Sequence, residues 1–393
     1  MKVRAFSTTV PVVPGPDSET LFDVGIAGAG QLAQMTVLAA VPLGLRIAVL
    51  GGPDEPASHS AAGRVDGSFS DAAALRKLGR VSRVVTLESE FVDPTVLAEI
   101  VAAGTPVRPD PSSLVHVQDK ALQKQLLAGA NLPLPRWAVA DTAEEFEAIG
   151  RDFGWPLMLK RRRLGYDGYG NATCHNVDEA CDAFRRLASD DGVLVEAFVA
   201  FERELAVMIA RRHSGGALAY PVVETVQRNH VCSHVIAPAP ISRAQTAAAT
   251  ETALAAAEAA NGVGVTGVEL FLGADGSILV NELAPRPHNS GHFTIEACET
   301  SQFENHLRGV LDLPLGPCQM RTTAAAMVNV LGTRTGLPAP DLGGALDVPG
   351  AHVHLYGKAE VRVGRKMGHV TTLGATTAGA LERATVAAEA LNR

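Results

Sequence analysis

Val268-Glu-Leu-Phe-Leu-Gly-Ala-Asp-Gly-Ser-Ile-Leu-Val-Asn-Glu-Leu283 reads as two apolar strands joined at Asp275-Gly276. An Asp-Gly dipeptide between apolar runs is a strong hairpin signal, because the glycine accepts the positive φ of a tight turn. A two-residue turn there pairs Ala274 with Ser277, and counting outward sets Glu269 opposite Glu282. Directly opposed carboxylates repel. Water would screen an exposed pair, but these strands are otherwise almost wholly apolar, so the pair is expected half-buried and in need of a cation. Mg²⁺ fits, since it takes one or two carboxylates and completes its shell with substrate phosphates. Asn281 alternates to the other face unless a bulge intervenes.

The next residues, Ala284-Pro-Arg-Pro-His-Asn-Ser-Gly-His292, form a loop stiffened by two prolines. It sets Arg286, His288, Asn289, Ser290 and His292 beside the carboxylates, an arrangement suited to positioning a phosphate or substrate. Either histidine reads equally well as a packing residue. Upstream, Lys160 ends an apolar strand and is followed by Arg161, Arg162 and Arg163, then Leu164-Gly-Tyr-Asp-Gly-Tyr-Gly170. The amides of such a glycine-rich loop suit closure over phosphates, whereas the basic run alone would be a solvated face. Lys120 opens a helix in the segment 118–124. Only seven of the 34 basic residues are lysine, so lysines flanking one small subdomain stand out and suit a nucleoside triphosphate. Val193 to Val199 is a buried strand ending in a hinge, where backbone near Ala197-Phe198 suits adenine and Glu204 suits ribose hydroxyls.

Between Phe22 and Leu50 the pattern is strand, glycine turn, helix, strand, with Gly28, Gly30 and Ala33 spaced as G-x-G-x-x-A. Such a turn brings backbone close to a phosphate at a helix N-terminus. The acidic residue that should end the second strand is missing, because Leu50 is followed by Gly51-Gly52. That argues against NAD and leaves a substrate phosphate or a structural turn. Further strands are expected at 84–86 and 106–108, with helices at 71–78 and 94–103, which predicts an α/β doubly wound parallel sheet. The tail from Thr322 has apolar strands at 324–330 and 353–356 and reads as a small β-rich domain. The expected division is an extension over 1–20, a Rossmann-like domain over 21–116, a two-lobed unit over 117–315 divided near 195/196, and a final domain over 316–393.

Hydrophobic residues make up 47% and charged residues 19%, which supplies cores and excludes bulk disorder. A net charge of −8 argues against a general nucleic-acid binder. No apolar run is long enough for a membrane span, and the first twenty residues lack a signal-peptide pattern. The five cysteines are scattered without C-x-x-C spacing, fitting neither zinc nor disulfides and pointing to the cytoplasm.

Asn281-Glu-Leu-Ala-Pro-Arg-Pro-His-Asn-Ser-Gly-His292, Ser301-Gln-Phe-Glu304 with His306-Leu-Arg308, and Tyr356-Gly-Lys358 with Gly364-Arg-Lys-Met-Gly-His369 resemble motifs of the ATP-grasp superfamily. Within it the chain is similar, from about Phe22 to Thr372, to the N5-carboxyaminoimidazole ribonucleotide synthetases, biotin-independent carboxylases of purine synthesis. The resemblance implies a cytoplasmic, homodimeric ligase using ATP and one or two Mg²⁺ ions. ATP phosphorylates bicarbonate, and the carboxyphosphate carboxylates the amine of 5-aminoimidazole ribonucleotide. By motif, Lys120 and Lys160 hold phosphates, and Glu196, Ala197, Phe198, Val199 and Glu204 hold adenosine. Gly165, Gly168, Gly170, Gln227 and Asn281 complete the ATP site, and Glu269 and Glu282 bind metal. The turn Gly30-Gln31-Leu32 with Lys358, Arg365 and Lys366 receives the ribonucleotide phosphate. Glu88, Glu90, His288, Asn289 and Ser290 contact substrate, and Tyr166, Asp167, Arg286 and Lys358 serve catalysis.

Three positions depart from the family pattern. Tyr169 stands where the glycine loop carries Arg or Lys, and a phenol lacks that cation's stabilisation of an anion. Phe91 follows the Glu88-x-Glu90 pair where Asn or His is usual, and Gln34 replaces an arginine. One reading is an orthodox synthetase in which Arg161 to Arg163 supply the charge. The other is a paralogue with a different carboxylate or amine. A non-catalytic nucleotide sensor is the alternative of another class, and retention of both Glu269 and Glu282 speaks against it.

Overall fold

The computed structural model describes residues 22–165, 170–228 and 231–392. The N-terminal part is a four-stranded parallel sheet ordered Gly63–Val65, Ile47–Leu50, Val24–Ala27, Val85–Leu87. Its two central strands are fully buried, as expected where helices cover both faces of a parallel sheet. Helices Ala72–Val81, Pro94–Ala102 and Pro111–Gln118 each start at an aspartate (Asp71, Asp93, Asp110) whose carboxylate accepts amides of the first turn. The strand expected at 106–108 is reduced to one bridge, Val85 to Val107.

A second, antiparallel sheet orders Trp137–Ala140, Val193–Ala197, Leu157–Arg161 and Asn171–Cys174, and forms the small lobe. Helices Phe146–Phe153 and Val177–Leu187 pack on it through Phe146, Ala180, Ala183 and Leu187.

The third sheet has nine strands. Its path runs Ile278–Ala284, Gly264–Gly273, Phe201–Arg211, Val223–Arg228, Val231–Ala237, Ala324–Leu331, Lys366–Gly374, Ala351–Leu355, with Ala217–Ala219 off the edge. The C-terminal strands therefore continue the large-lobe sheet through the pairing of His234 with Val328 and Ala237 with Ala325. Among the described residues the C-terminal strands form no sheet of their own. The tail also closes on the helix Thr377–Leu391, which its alanine-rich, weakly patterned sequence did not announce. The strand Phe201–Arg211 is buried on both faces: Leu205, Val207 and Ile209 enter one core, Ala206, Met208 and Ala210 another. The alanine-rich helix Arg243–Ala259 approaches closely because Ala249, Ala253, Ala256 and Ala257 present only methyl groups, all completely buried. Each large apolar side chain buried here contributes about 1.5–3 kcal/mol. Among the described residues no helix is long and apolar enough to cross a membrane.

Candidate active site

A cleft of about 590 Å³ lies where the C-terminal ends of the parallel strands face both lobes. It is lined by Gly28 to Leu32, Glu88, Glu90, Lys120, Lys160, Gly165, Glu204, Gln227, Glu269, Asn281, Glu282, Arg286, His288, Asn289, Ser290 and Lys366. Ligands of open α/β sheets collect at this edge.

Glu269 does face Glu282, but through two differences from the expected register that cancel. The turn is longer: Gly273 N–H donates to Ser277 O at 2.9 Å, Gly276 has φ +82°, and Leu272 rather than Gly273 pairs with Ile278. This matches a three-residue loop with glycine in the left-handed region. A register shift between Glu269 and Leu270 then restores the pairing of the two acids, leaving Asn281 as the extra residue. The bulge turns Asn281 into the cleft, where its Oδ1 accepts from Lys160 Nζ at 2.9 Å and its Nδ2 donates to Glu269 Oε2 at 3.4 Å.

Helix Lys120–Gly129 fastens this hairpin. Gln123 exchanges two hydrogen bonds with the backbone of Leu283, at 2.9 and 3.0 Å. Asp119 caps the helix from a fully buried position and is held by the Arg162 guanidinium at 3.0 and 2.7 Å. Lys120 then forms an ion pair with Glu282. That cation and Lys160 outweigh burial and hold the Glu282 carboxyl below its usual range, whereas burial and the facing Glu282 push Glu269 up. Both acids keep an edge on the cleft, 26% and 38% exposed. Among the described residues no cluster of three or more His, Cys, Asp or Glu could hold a metal. Two opposed carboxylates open to a cleft nonetheless fit Mg²⁺ whose other ligands come from a nucleotide.

Glu196 lies between two lysines: Lys160 Nζ is 2.6 Å from Oε2 and Lys124 Nζ 2.6 Å from Oε1. These charges overcome burial and hold its carboxyl at about 2. Burial pushes Lys124 down to about 8 despite Glu196. Lys124 was missed as a site residue, although it sits four residues after Lys120, on the same helix face.

On the opposite wall, Glu88 Oε2 accepts the Gly30 amide at 2.6 Å and Oε1 the Leu32 amide at 3.1 Å. A Cβ on Gly28 would lie 2.5 Å from Glu88 Oε2. The glycine fingerprint thus makes room for an internal carboxylate, and two of the amides expected to receive a phosphate are already engaged. Burial raises the Glu88 carboxyl. Glu90 receives a bidentate Arg286 at 2.5 and 3.1 Å, and this cation outweighs burial and lowers its carboxyl. His288 Nε2 is 3.4 Å from Glu269 Oε1, and burial, then Arg286 and Lys366, push the imidazole down to about 4, so it is neutral. His292 is fully buried and packs against Phe303 and His369, with Gln302 on Nδ1 at 3.2 Å. Asn289 exchanges amide bonds with Asn329 at 3.0 and 2.8 Å.

Several expected residues lie elsewhere. Lys358 donates to Lys366 O at 2.7 Å and faces a separate apolar cavity near 330–340, and Arg365 donates to Glu360 O at 2.9 Å. Only Lys366 of that trio lines the cleft. Glu196, Ala197, Phe198, Val199 and Gly170 stand outside its lining, and the Ala197 amide already donates to Arg136 O at 2.9 Å. Arg161 donates to Arg186 O, Arg162 to Asp119 and Asp191 O, and Arg163 lies near Asp119 and Asp191. Of the three, only Arg162, which also lines the cleft, is committed to a buried carboxylate, while Arg161 meets a backbone carbonyl and Arg163 stays half-exposed. Phe91 lines the cleft and Gln34 does not. Tyr166, Asp167, Gly168 and Tyr169 lie outside the described residues.

A small antiparallel lobe, a lysine pair on the cleft and an opposed acid pair, all facing the strand ends of a parallel sheet, define an ATP-grasp ligase. Family models match in the same order: the ribonucleotide synthetase preATP-grasp domain over residues 21–118, the ATP-grasp domain over 125–303, and the phosphoribosylaminoimidazole carboxylase C-terminal domain over 325–383. The N5-carboxyaminoimidazole ribonucleotide synthase of Mycobacterium bovis is 44% identical over 377 residues, covering 94% of this chain and 87% of that one. The phosphoribosylaminoimidazole carboxylase of Schizosaccharomyces pombe is 43% identical over 89% of this chain, which spans 64% of its length. The N5-carboxyaminoimidazole synthase of Aspergillus clavatus, solved with ADP and 5-aminoimidazole ribonucleotide, superposes with TM-score 0.86 at 36% identity, covering 94% of this chain and 98% of that one. The chain belongs to the N5-carboxyaminoimidazole ribonucleotide synthetase family.

Proposed function

We propose that the chain carboxylates the amine of 5-aminoimidazole ribonucleotide, using ATP and bicarbonate. The observation that carries this reading is the single cleft joining Lys120, Lys160, Asn281 and the Glu269–Glu282 pair to the Glu90–Arg286 pair and Lys366. A bicarbonate oxygen attacks the γ-phosphorus of ATP and ADP leaves. The resulting carboxyphosphate gives up its carboxyl carbon to the amine, releasing phosphate and a proton. Lys120 and Lys160 hold the phosphates, Glu204 and Gln227 face the nucleoside, and neutral His288 stands beside Glu269 without adding charge. Glu269 and Glu282 would hold Mg²⁺, which would supply charge neutralisation for the phosphoryl group. Arg286, fixed by Glu90, presents its guanidinium to the anion formed on bicarbonate. Tyr166 and Asp167 belong to the loop assigned to close over that anion, and Lys366, with Gln31, to the ribonucleotide phosphate.

A second reading, a ligase for another carboxylate or amine, is supported by Phe91 on the cleft wall and by the commitment of Arg162 to Asp119. ADP release with ATP, Mg²⁺ and bicarbonate, measured with and without 5-aminoimidazole ribonucleotide, separates the two. Stimulation by the ribonucleotide is expected, and its absence would give preference to the second reading. Restored bicarbonate-dependent turnover in Tyr169→Arg would mark that position as the changed specificity residue. We also propose a cytoplasmic homodimer. The absence of any disulfide among the five cysteines supports the compartment, and sedimentation tests the dimer suggested by the family.

A further inference from the structure

Glu196 is 2% exposed and has two ammonium partners of unlike situation. Lys160 lines the cleft and also meets Asn281 Oδ1. Lys124 does not line it: its ammonium is sealed behind Glu196, donating to Asn281 O at 2.7 Å and Val280 O at 3.2 Å. Glu196 Oε1 lies 2.6 Å away as its ion-pair partner, and Lys124 is only 2% exposed, so its ammonium is turned away from a nucleotide in the cleft. A phosphate drawing Lys160 into the cleft takes one counter-ion from a buried carboxylate. Were that the only one, an uncompensated buried charge would remain, and the departure would be strongly opposed.

We propose that Lys124 is a positioning residue, the standing counter-ion of Glu196 that releases Lys160 to nucleotide phosphate. The inference rests on the assignment of Lys160 as a phosphate ligand. Lys124 also spans the lobes, because Glu196 belongs to the small-lobe sheet and Val280 and Asn281 to the bulged strand of the large-lobe sheet. The same ammonium therefore sets the separation of the two surfaces that grip the nucleotide.

The test is a double-mutant cycle read by calorimetric ADP binding to the full chain with Mg²⁺. Lys124→Gln keeps amide donors for the two carbonyls but removes the charge. It is expected to weaken ADP binding at least ~10-fold, as for a buried carboxylate losing a partner, with the loss in KM for ATP and little in kcat. In a Glu196→Gln background the same change is expected to cost less than ~3-fold, since no buried charge is left to hold Lys160. An equal loss in both backgrounds would show that Lys124 only braces the strand, and would overturn the proposal. If Lys124→Gln fails to fold, the cycle is run with Lys124→Met, whose loss must also vanish in the Glu196→Gln background. Lys160→Met separates the two levels. Unchanged ADP affinity there removes the phosphate assignment itself, while loss there with a neutral Lys124→Gln sinks only the positioning role.

Discussion

His306 Nε2 lies 3.0 Å from Thr86 Oγ1 across 220 residues of sequence, and His306 Nδ1 accepts the Val265 amide at 3.1 Å. The second bond fixes the tautomer, so Nε2 carries the proton and donates to Thr86. One neutral imidazole therefore ties the strand that leads to Glu88 and Glu90 to the strand that carries Glu269.

Burial holds His306 neutral down to about pH 3. Its ordinary value is near 6.5, so between these limits the unfolded chain binds a proton that the folded chain refuses. This contribution to stability is present above pH 6.5 and is lost as pH falls. Between pH 7 and pH 5 the loss is roughly 2 kcal/mol. Urea denaturation at both values is expected to show this difference in the parent and a smaller one in His306→Gln. Equal acid sensitivity of the two proteins would contradict it.

Gly264 lies against the same ring with φ +87°, and an added Cβ would sit 2.5 Å from His306 Nδ1. Both the left-handed backbone and the contact oppose a side chain. Gly264→Ala is expected to destabilise by about 2 kcal/mol or more, read as a lowered urea midpoint. A neutral effect would mean that the helix carrying His306 moves away at little cost.

The opposed acids were legible because turn and strand chemistry are local: Asp-Gly marks the turn and the apolar runs mark the strands. Loop length and bulge were not, and their errors cancelled at Glu269 and Glu282 while changing the role of Asn281. The glycine fingerprint was legible as a close approach, but Glu88, the group approached, comes from 58 residues away in sequence. Lys124 and His306 act through burial, which no single-residue signal reports. The continuation of the large-lobe sheet into the C-terminal strands is set by pairing between segments about ninety residues apart (His234 with Val328), beyond the reach of periodicity.

Arg162 illustrates how a basic run divides into unlike roles. Its guanidinium is bidentate to a completely buried carboxylate that also caps the helix beginning at Lys120. Removing it leaves Asp119 buried and short of a cation, so Arg162→Ala is expected to cost roughly 3–5 kcal/mol. Arg163 is 45% exposed, with acid contacts of 3.4 and 3.7 Å, and its alanine variant is expected to change stability by less than about 1 kcal/mol. Denaturant midpoints of the two variants check the contrast, and similar losses would return the run to a common electrostatic role.

Glu282 is held in this structure by Lys120, one of the two lysines assigned to phosphate. Under that assignment nucleotide and metal binding would exchange partners: Lys120 would turn to phosphate as Glu282 is freed for the cation. Glu282→Gln removes the competing acceptor and weakens the metal site in one step. ADP affinity in EDTA is expected to stay the same or tighten slightly, because Lys120 is no longer held back. The gain in ADP affinity that Mg²⁺ brings to the parent should largely vanish, and ADP release with all substrates should fall by at least ~10². Calorimetry in EDTA and in Mg²⁺ reads the first two effects independently of turnover. If Mg²⁺ strengthens ADP binding to Glu282→Gln as much as to the parent, the cation does not depend on this carboxylate, and the acid pair is only an internal partner for Lys120.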